Sequence, residues 1–281
     1  MAYRTLLVPL DNGRHARDRV AAAAALALQH DAHLIGLASS GWVALPADVS
    51  GTLGLAAYQE AASRQLLALA EAGVRDFNQQ VERLGLASHE ARIEVGYPPE
   101  VLPRAARYAD LTIVTQTDPD EAYALQSPQT PHQLLMQSGR PLLVLPYAGP
   151  CEIPPAARVL AGWNGSREAA RAMHDALPLL QRAASVEVVV FETPLDADRE
   201  HGSLPGADIG LWLARHGVRV EARYVPTEVG AGEALLSQAA DMGADLIVAG
   251  GYGHARWRET VLGGVTRTLL SSAPVPVLLS H

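Results

Sequence analysis

The chain has 281 residues, a net charge of −8 and a pI near 5.7. Hydrophobic residues at 48% against 19% charged supply a core and exclude a largely disordered chain, and the acidic balance argues against general affinity for nucleic acid or anionic membrane. Cys151 stands alone, which excludes an internal disulfide, a CxxC redox pair and a Cys-rich zinc site; all 22 basic residues are Arg, so the lysines of a Walker-A loop, a pyridoxal Schiff base and a kinase strand are missing as well.

The first apolar run stops at Asp11, too soon for a signal-peptide core, and no run approaches the ~18 residues of a membrane span. A cytoplasmic protein with no membrane association is expected. Leu6–Leu10 has the length of a buried strand, and Arg14–Gln29 has helical composition. A strand at His33–Ala38, one or two amphipathic helices over Leu55–Leu84 and a strand at Arg92–Val95 follow. Next come a helix at Pro99–Arg107, a strand at Leu111–Thr115, a helix at Pro131–Gln137 and a strand at Leu142–Leu145. After the Pro- and Gly-rich stretch Tyr147–Pro155 the alternation restarts: strand Val159–Trp163, helix Arg167–Gln181, strand Val186–Phe191, a short helix near Ala207–His216 and strand Val218–Arg223. It ends with helix Gly232–Ala240, strand Leu246–Ala249, helix Val265–Leu270 and strand Val277–Leu279.

The second half repeats the first. Arg4–Arg14 resembles Ala157–Arg167, which sets Asp11 opposite Asn164. Glu90-Ala-Arg92 matches Glu221-Ala-Arg223, Ala109-Asp-Leu111 matches Ala244-Asp-Leu246, and Pro141-Leu-Leu-Val matches Pro276-Val-Leu-Leu. The matches keep one order, with the second copy shorter between its second and third strands. Alternating apolar strands and helices predict an α/β fold: two tandem, open, five-stranded parallel sheets with helices on both faces, in domains 1–148 and 156–281.

Ligands of such folds sit beyond the carboxyl ends of the strands. In the second copy the fourth strand runs into Gly250-Gly-Tyr-Gly253-His254-Ala-Arg256, then Gly263-Gly264-Val265-Thr266 at the start of a helix. Glycines permit close backbone approach, helix N-terminal N–H groups suit an anion, and Arg256, Arg258 and Arg267 add positive charge. Gly250-x2-Gly253-x9-Gly263 resembles the nucleotide motif of the universal stress protein family, and the Val-Pro-Leu-Asp11 start and Val-Pro-Val-Leu end are similar to that family too. The resemblance covers nearly the whole chain, as a tandem two-domain member. It implies the five-stranded Rossmann-like fold, binding of ATP or ADP with or without Mg, and pairing of domains through their last strands. It also implies an intramolecular pseudo-dimer, with or without a further homodimer, and a protein partner that the sequence does not name.

The site residues implied are Asn164, Gly250, Gly253, His254, Arg256, Gly263, Gly264, Val265 and Thr266. The motif has Ser or Thr where Gly264 stands and an Asp where Asn164 stands; Thr266 offers a partial substitute for the missing hydroxyl. The first copy is the converse. Asp11 is present, either beside a nucleotide or as a helix N-cap. Thr115, Asp118, Pro128 and Gln129 replace Gly250, Gly253, Gly263 and Gly264, and Asp120 and Glu121 add negative charge. Loss of triphosphate binding by the first copy is expected. Three functions rank in order: a nucleotide-binding regulatory protein active in stress response, an interaction module with a degenerate site, and a slow ATPase. Glu259 is the sole carboxylate in the glycine segment and no general base stands out, so no catalytic residue and no metal ligand are assigned.

Overall fold

The computed structural model describes residues 2–41, 55–121, 130–192, 206–252 and 264–281. It divides into two compact units, Arg4–Ser138 and Met1–Tyr3 with Gly139–His281.

The first unit contains β1 (Thr5–Leu10), α1 (Ala16–His30), β2 (His33–Ser39), α2 (Leu55–Arg83), β3 (His89–Glu94), α3 (Pro98–Ala106), β4 (Leu111–Thr115) and α4 (Thr130–Gln137). Its sheet runs β3-β2-β1-β4, with β1 parallel to β2 and β4, and β2 parallel to β3. α1 and α2 pack on each other and over β1 and β2, whereas α3 packs on α4. The buried residues of α1 include Ala22, Ala23, Ala24 and Ala27, and such small side chains let the helix lie close to its neighbours. Leu55–Arg83 is one helix, not two.

The second unit contains β5 (Leu142–Leu145), β6 (Arg158–Gly162), α5 (Arg167–Asp175), α6 (Leu177–Leu180), β7 (Ser185–Glu192), α7 (Ala207–Arg215), β8 (Val220–Pro226), α8 (Ala231–Met242), β9 (Leu246–Gly250), α9 (Gly264–Ser272) and β10 (Val277–Ser280). Its sheet runs β5-β10-β9-β6-β7-β8, parallel throughout except between β5 and β10. The helix expected over Arg167–Gln181 breaks at Ala176. Pro178 lacks the N–H that would bond back to His174, so it sits in the first turn of a new helix.

The class is the expected α/β fold with helices on both faces, but the strands are shared out differently. β5, the last strand of the first copy, lies in the second unit and pairs antiparallel with β10, with Val144 opposite Val277 and Leu142 opposite Leu279. Both are four-residue strands with every residue buried, and a fully apolar edge left unpaired would invite aggregation. The outer strands β3 and β8 are instead the Glu-Ala-Arg repeats, and their charged, partly exposed side chains suit an edge. No helix among the described residues is long and apolar enough to cross a membrane.

The repeated Ala-Asp-Leu has a structural reason. Asp110 Oδ2 accepts from the backbone N–H groups of Arg4 at 2.7 Å and Thr5 at 3.0 Å, and Asp245 Oδ2 accepts from that of Arg158 at 2.7 Å. In each copy the carboxylate before the fourth strand clamps the start of the first. Hydrogen bonds to charged groups contribute about 1.5–3 kcal/mol. Asp110→Ala should therefore lower the stability of the first unit by about that amount in urea unfolding; a shift too small to measure would show that the clamp carries no net energy.

Candidate functional site

The second copy's site starts where β6 ends. Asn164 Oδ1 accepts from Ser166 N at 3.1 Å, and Ser166 Oγ accepts from Ala169 N at 3.1 Å. An Asx turn, Gly165 at φ +70° and a serine N-cap thus launch α5. Glu168, in the first turn, is 4% exposed and paired with Arg167. Burial works to raise its pKa, but the Arg167 hydrogen bond, a backbone hydrogen bond and the charges of Arg167 and His281 outweigh it, and the carboxyl lies below its ordinary value.

This first turn rests on the end of β9. A Cβ built on Gly250 would lie 2.5 Å from Ala169 N and 2.7 Å from Glu168 C, closer than any side chain permits. The chain then turns under tight constraint. Gly251 N donates to Ser280 O at 2.8 Å, Tyr252 adopts φ +58°, and Tyr252 N donates to Thr266 Oγ1 at 2.9 Å. His281 Nδ1 lies 3.0 Å from Gly251 O, and its ring meets that of Tyr252 edge to face. Burial raises the Tyr252 phenol pKa.

These contacts link Asn164, Gly250 and Thr266 in one chain of neighbours. The Thr266 hydroxyl, 2% exposed, is an acceptor that ties the start of α9 to the end of β9. Val265 is half-buried against α8 at Gly232, and Gly264 is exposed with nothing within 4 Å of a Cβ built on it. Gly253, His254, Arg256 and Gly263 lie outside the described residues, as do Pro128 and Gln129 of the first copy.

The first copy matches this geometry and then diverges. Asp11 Oδ1 accepts from Gly13 N at 2.9 Å, the Asx turn that Asn164 makes in the second copy. The N-cap reading of Asp11 is corrected: α1 begins at Ala16 after His15, and the second oxygen of Asp11 pairs with Arg19 at 2.7 Å. Arg19, 3% exposed, also donates to Pro9 O and to Thr115 Oγ1, both at 3.2 Å. It spans from β1 to β4 at the carboxyl end of the sheet. In the same register the second copy has Ala172 for Arg19 and Gly250 for Thr115. Arg19 is the last of Arg14, Arg17 and Arg19 ahead of the alanine run, and nothing local in the sequence sets it apart from the other two. The cleft lined by Asp11, Arg19, Thr115 and Asp118 has a volume of only about 30 Å³, against ~300–1,000 Å³ for small-molecule pockets.

With this geometry in place, residues 156–281 match the family model described as the Universal stress protein family. The second copy is thus similar to universal stress protein domains. No curated protein matches the chain. Among solved structures, a universal stress protein from Archaeoglobus fulgidus DSM 4304 aligns over 99% of this chain and 98% of its own, at 16% identity and a TM-score of 0.72. A functionally unknown protein from Pseudomonas aeruginosa PAO1 aligns over 99% of this chain and 92% of its own, at 14% identity and a TM-score of 0.57. At these identities the likeness concerns the fold, and it extends over both copies of a tandem chain. A universal stress protein in complex with cAMP aligns over 51% of this chain and 97% of its own, at 21% identity and a TM-score of 0.35.

The contact at Gly250 yields a direct expectation. Forcing a methyl into a packed site costs about 1–3 kcal/mol, and here the obstructing atoms are backbone. Gly250→Ala should destabilise the second unit by at least that much in urea unfolding, whereas Gly264→Ala, in open space, should not. Equal stability of the two variants would show that α5 does not press on β9.

Proposed function

We propose that the chain binds one adenine nucleotide, ATP or ADP, at the carboxyl end of β9 in the second copy, and that occupancy regulates a partner protein. The observation that carries this reading is the Tyr252 N to Thr266 Oγ1 hydrogen bond. It brings the two ends of the glycine segment together at the first turn of α9, where backbone N–H groups lack helical acceptors and favour an anion. The match of residues 156–281 to the family model supports the same reading. With no lysine in the chain, phosphate contacts fall to backbone N–H groups of Gly253, Gly263 and Gly264, with Arg256 beside them. Asn164, beyond β6, stands nearest the base and ribose; its amide both donates and accepts, where a carboxylate only accepts. In the first copy Asp118 and Glu121 put negative charge where phosphate would sit and Arg19 is already paired with Asp11, so that copy holds no triphosphate.

Two substitutions test the site by calorimetry with ATP. A side chain at Gly253 denies close approach; losing one charge-assisted hydrogen bond costs about 1.5–3 kcal/mol, roughly tenfold or more in affinity. Gly253→Val should weaken binding at least that far. Gly264→Ser restores a hydroxyl where there is room for it and should tighten binding by a similar factor. If both variants bind as the parent does, phosphate does not sit on this segment; if the parent binds no ATP at millimolar concentration, the second copy acts as an interaction module instead.

A further inference from the structure

The cleft of the first copy reverses the chemistry of its counterpart. In common register, Asp118 stands for Gly253, Glu121 for Arg256 and His15 for Glu168. Where the second copy has Gly253 and Arg256 after its fourth strand and Glu168 after its first, the first copy has two carboxylates after the fourth strand and an imidazole after the first. They converge: one ligand atom from each of His15, Asp118 and Glu121 lies within 4.8 Å of the others. We propose that these three residues form a binding site for a divalent transition-metal cation of the Mn²⁺ class.

Geometry and charge both support this. His15 Nε2 and Asp118 Oδ2 are hydrogen-bonded at 2.9 Å; a cation would replace that bond, with loss of the Nε2 proton, and the spacing already matches adjacent ligands of a six-coordinate ion, which at about 2.1 Å each stand about 3 Å apart. The side chain of Asp118 is 3% exposed and its loop is fixed from within: Asp120 N donates to Oδ1 at 2.9 Å, and Glu121 N donates to Asp118 O at 3.2 Å. The hydrogen bond from His15, then that from Asp120 N, lowers the Asp118 carboxyl pKa from its ordinary value despite burial. Glu121 Oε1 accepts from Arg14 N at 2.7 Å, which aims it across the cleft. The free volume, about 30 Å³, suits an ion with a water rather than an organic ligand.

Of the charges beside these three residues, Asp120 is exposed to solvent and two others are paired. Asp11 is neutralised by Arg19 and does not compete. Arg14 Nη1 donates to Asp118 Oδ2 at 3.2 Å, but its side chain is 63% exposed and is free to swing into water when a cation takes its place. One imidazole nitrogen with two carboxylate oxygens is a borderline-to-hard donor set, which favours Mn²⁺, Fe²⁺ or Zn²⁺ over Cu⁺.

The test uses Mn²⁺ alone, with the full chain and no nucleotide, following the six-line electron paramagnetic resonance signal of the free ion. The parent should sequester one equivalent. Glu121→Gln keeps an acceptor for Arg14 N yet loses the charge, and Asp118→Asn does the same at the buried position; each should weaken binding at least about tenfold. Circular dichroism melts confirm that both variants are folded, and Glu121→Gln alone decides the matter if Asp118→Asn is not. A parent that leaves all Mn²⁺ free at millimolar ion, or a folded Glu121→Gln that binds as tightly as the parent, overturns the proposal.

Discussion

The second copy depends on the absence of a side chain at one position. Gly250 ends β9 with the backbone of Glu168 and Ala169 pressed against it. That contact sets the first turn of α5, with its serine cap and the Asx turn of Asn164, directly at the carboxyl end of the sheet. It also leaves Gly251 and Tyr252 with little freedom. Gly251 bonds to Ser280 at the end of β10, Tyr252 is driven to a positive φ, and its N–H is delivered to Thr266 in α9. Two helix starts and the ends of β9 and β10 are thereby fixed as one assembly.

The first copy shows what happens when that position carries a side chain. Thr115 replaces the glycine and is bonded to Arg19, whose guanidinium bridges β1, Asp11 and β4. Three hydrogen-bonding partners make Arg19 a buried cation with its charge matched, which is the condition for tolerating it at all. The same strand-and-helix frame thus carries a buried ion pair at the end of β4 in the first copy and a glycine pressed against α5 at the end of β9 in the second.

Much of the fold was legible in the sequence because buried parallel strands are continuous apolar runs. Leu111–Thr115 and Leu142–Leu145 stand where the pattern placed them. The edge strands were displaced, Arg92–Val95 against His89–Glu94 and Val218–Arg223 against Val220–Pro226, since half-exposed polar strands lack such runs. Asp11 was recognised as special but given a cap as its alternative role; its true partner, Arg19, is held in place by Thr115 from far along the chain, a contact no local pattern reveals. Gly250 was visible as a motif glycine, yet the reason for it, the approach of α5, is tertiary. The meeting of the last strands, β5 and β10, was expected from family resemblance; its antiparallel sense and its residue-by-residue register came only with the structure.

Unequal copies imply unequal occupancy, and the central claim is a number. Equilibrium dialysis of the full chain against radiolabelled ATP, carried to saturation, counts the sites directly. One ATP per chain is the expected result. Zero, or two equivalent sites, would contradict a single nucleotide site at the end of β9.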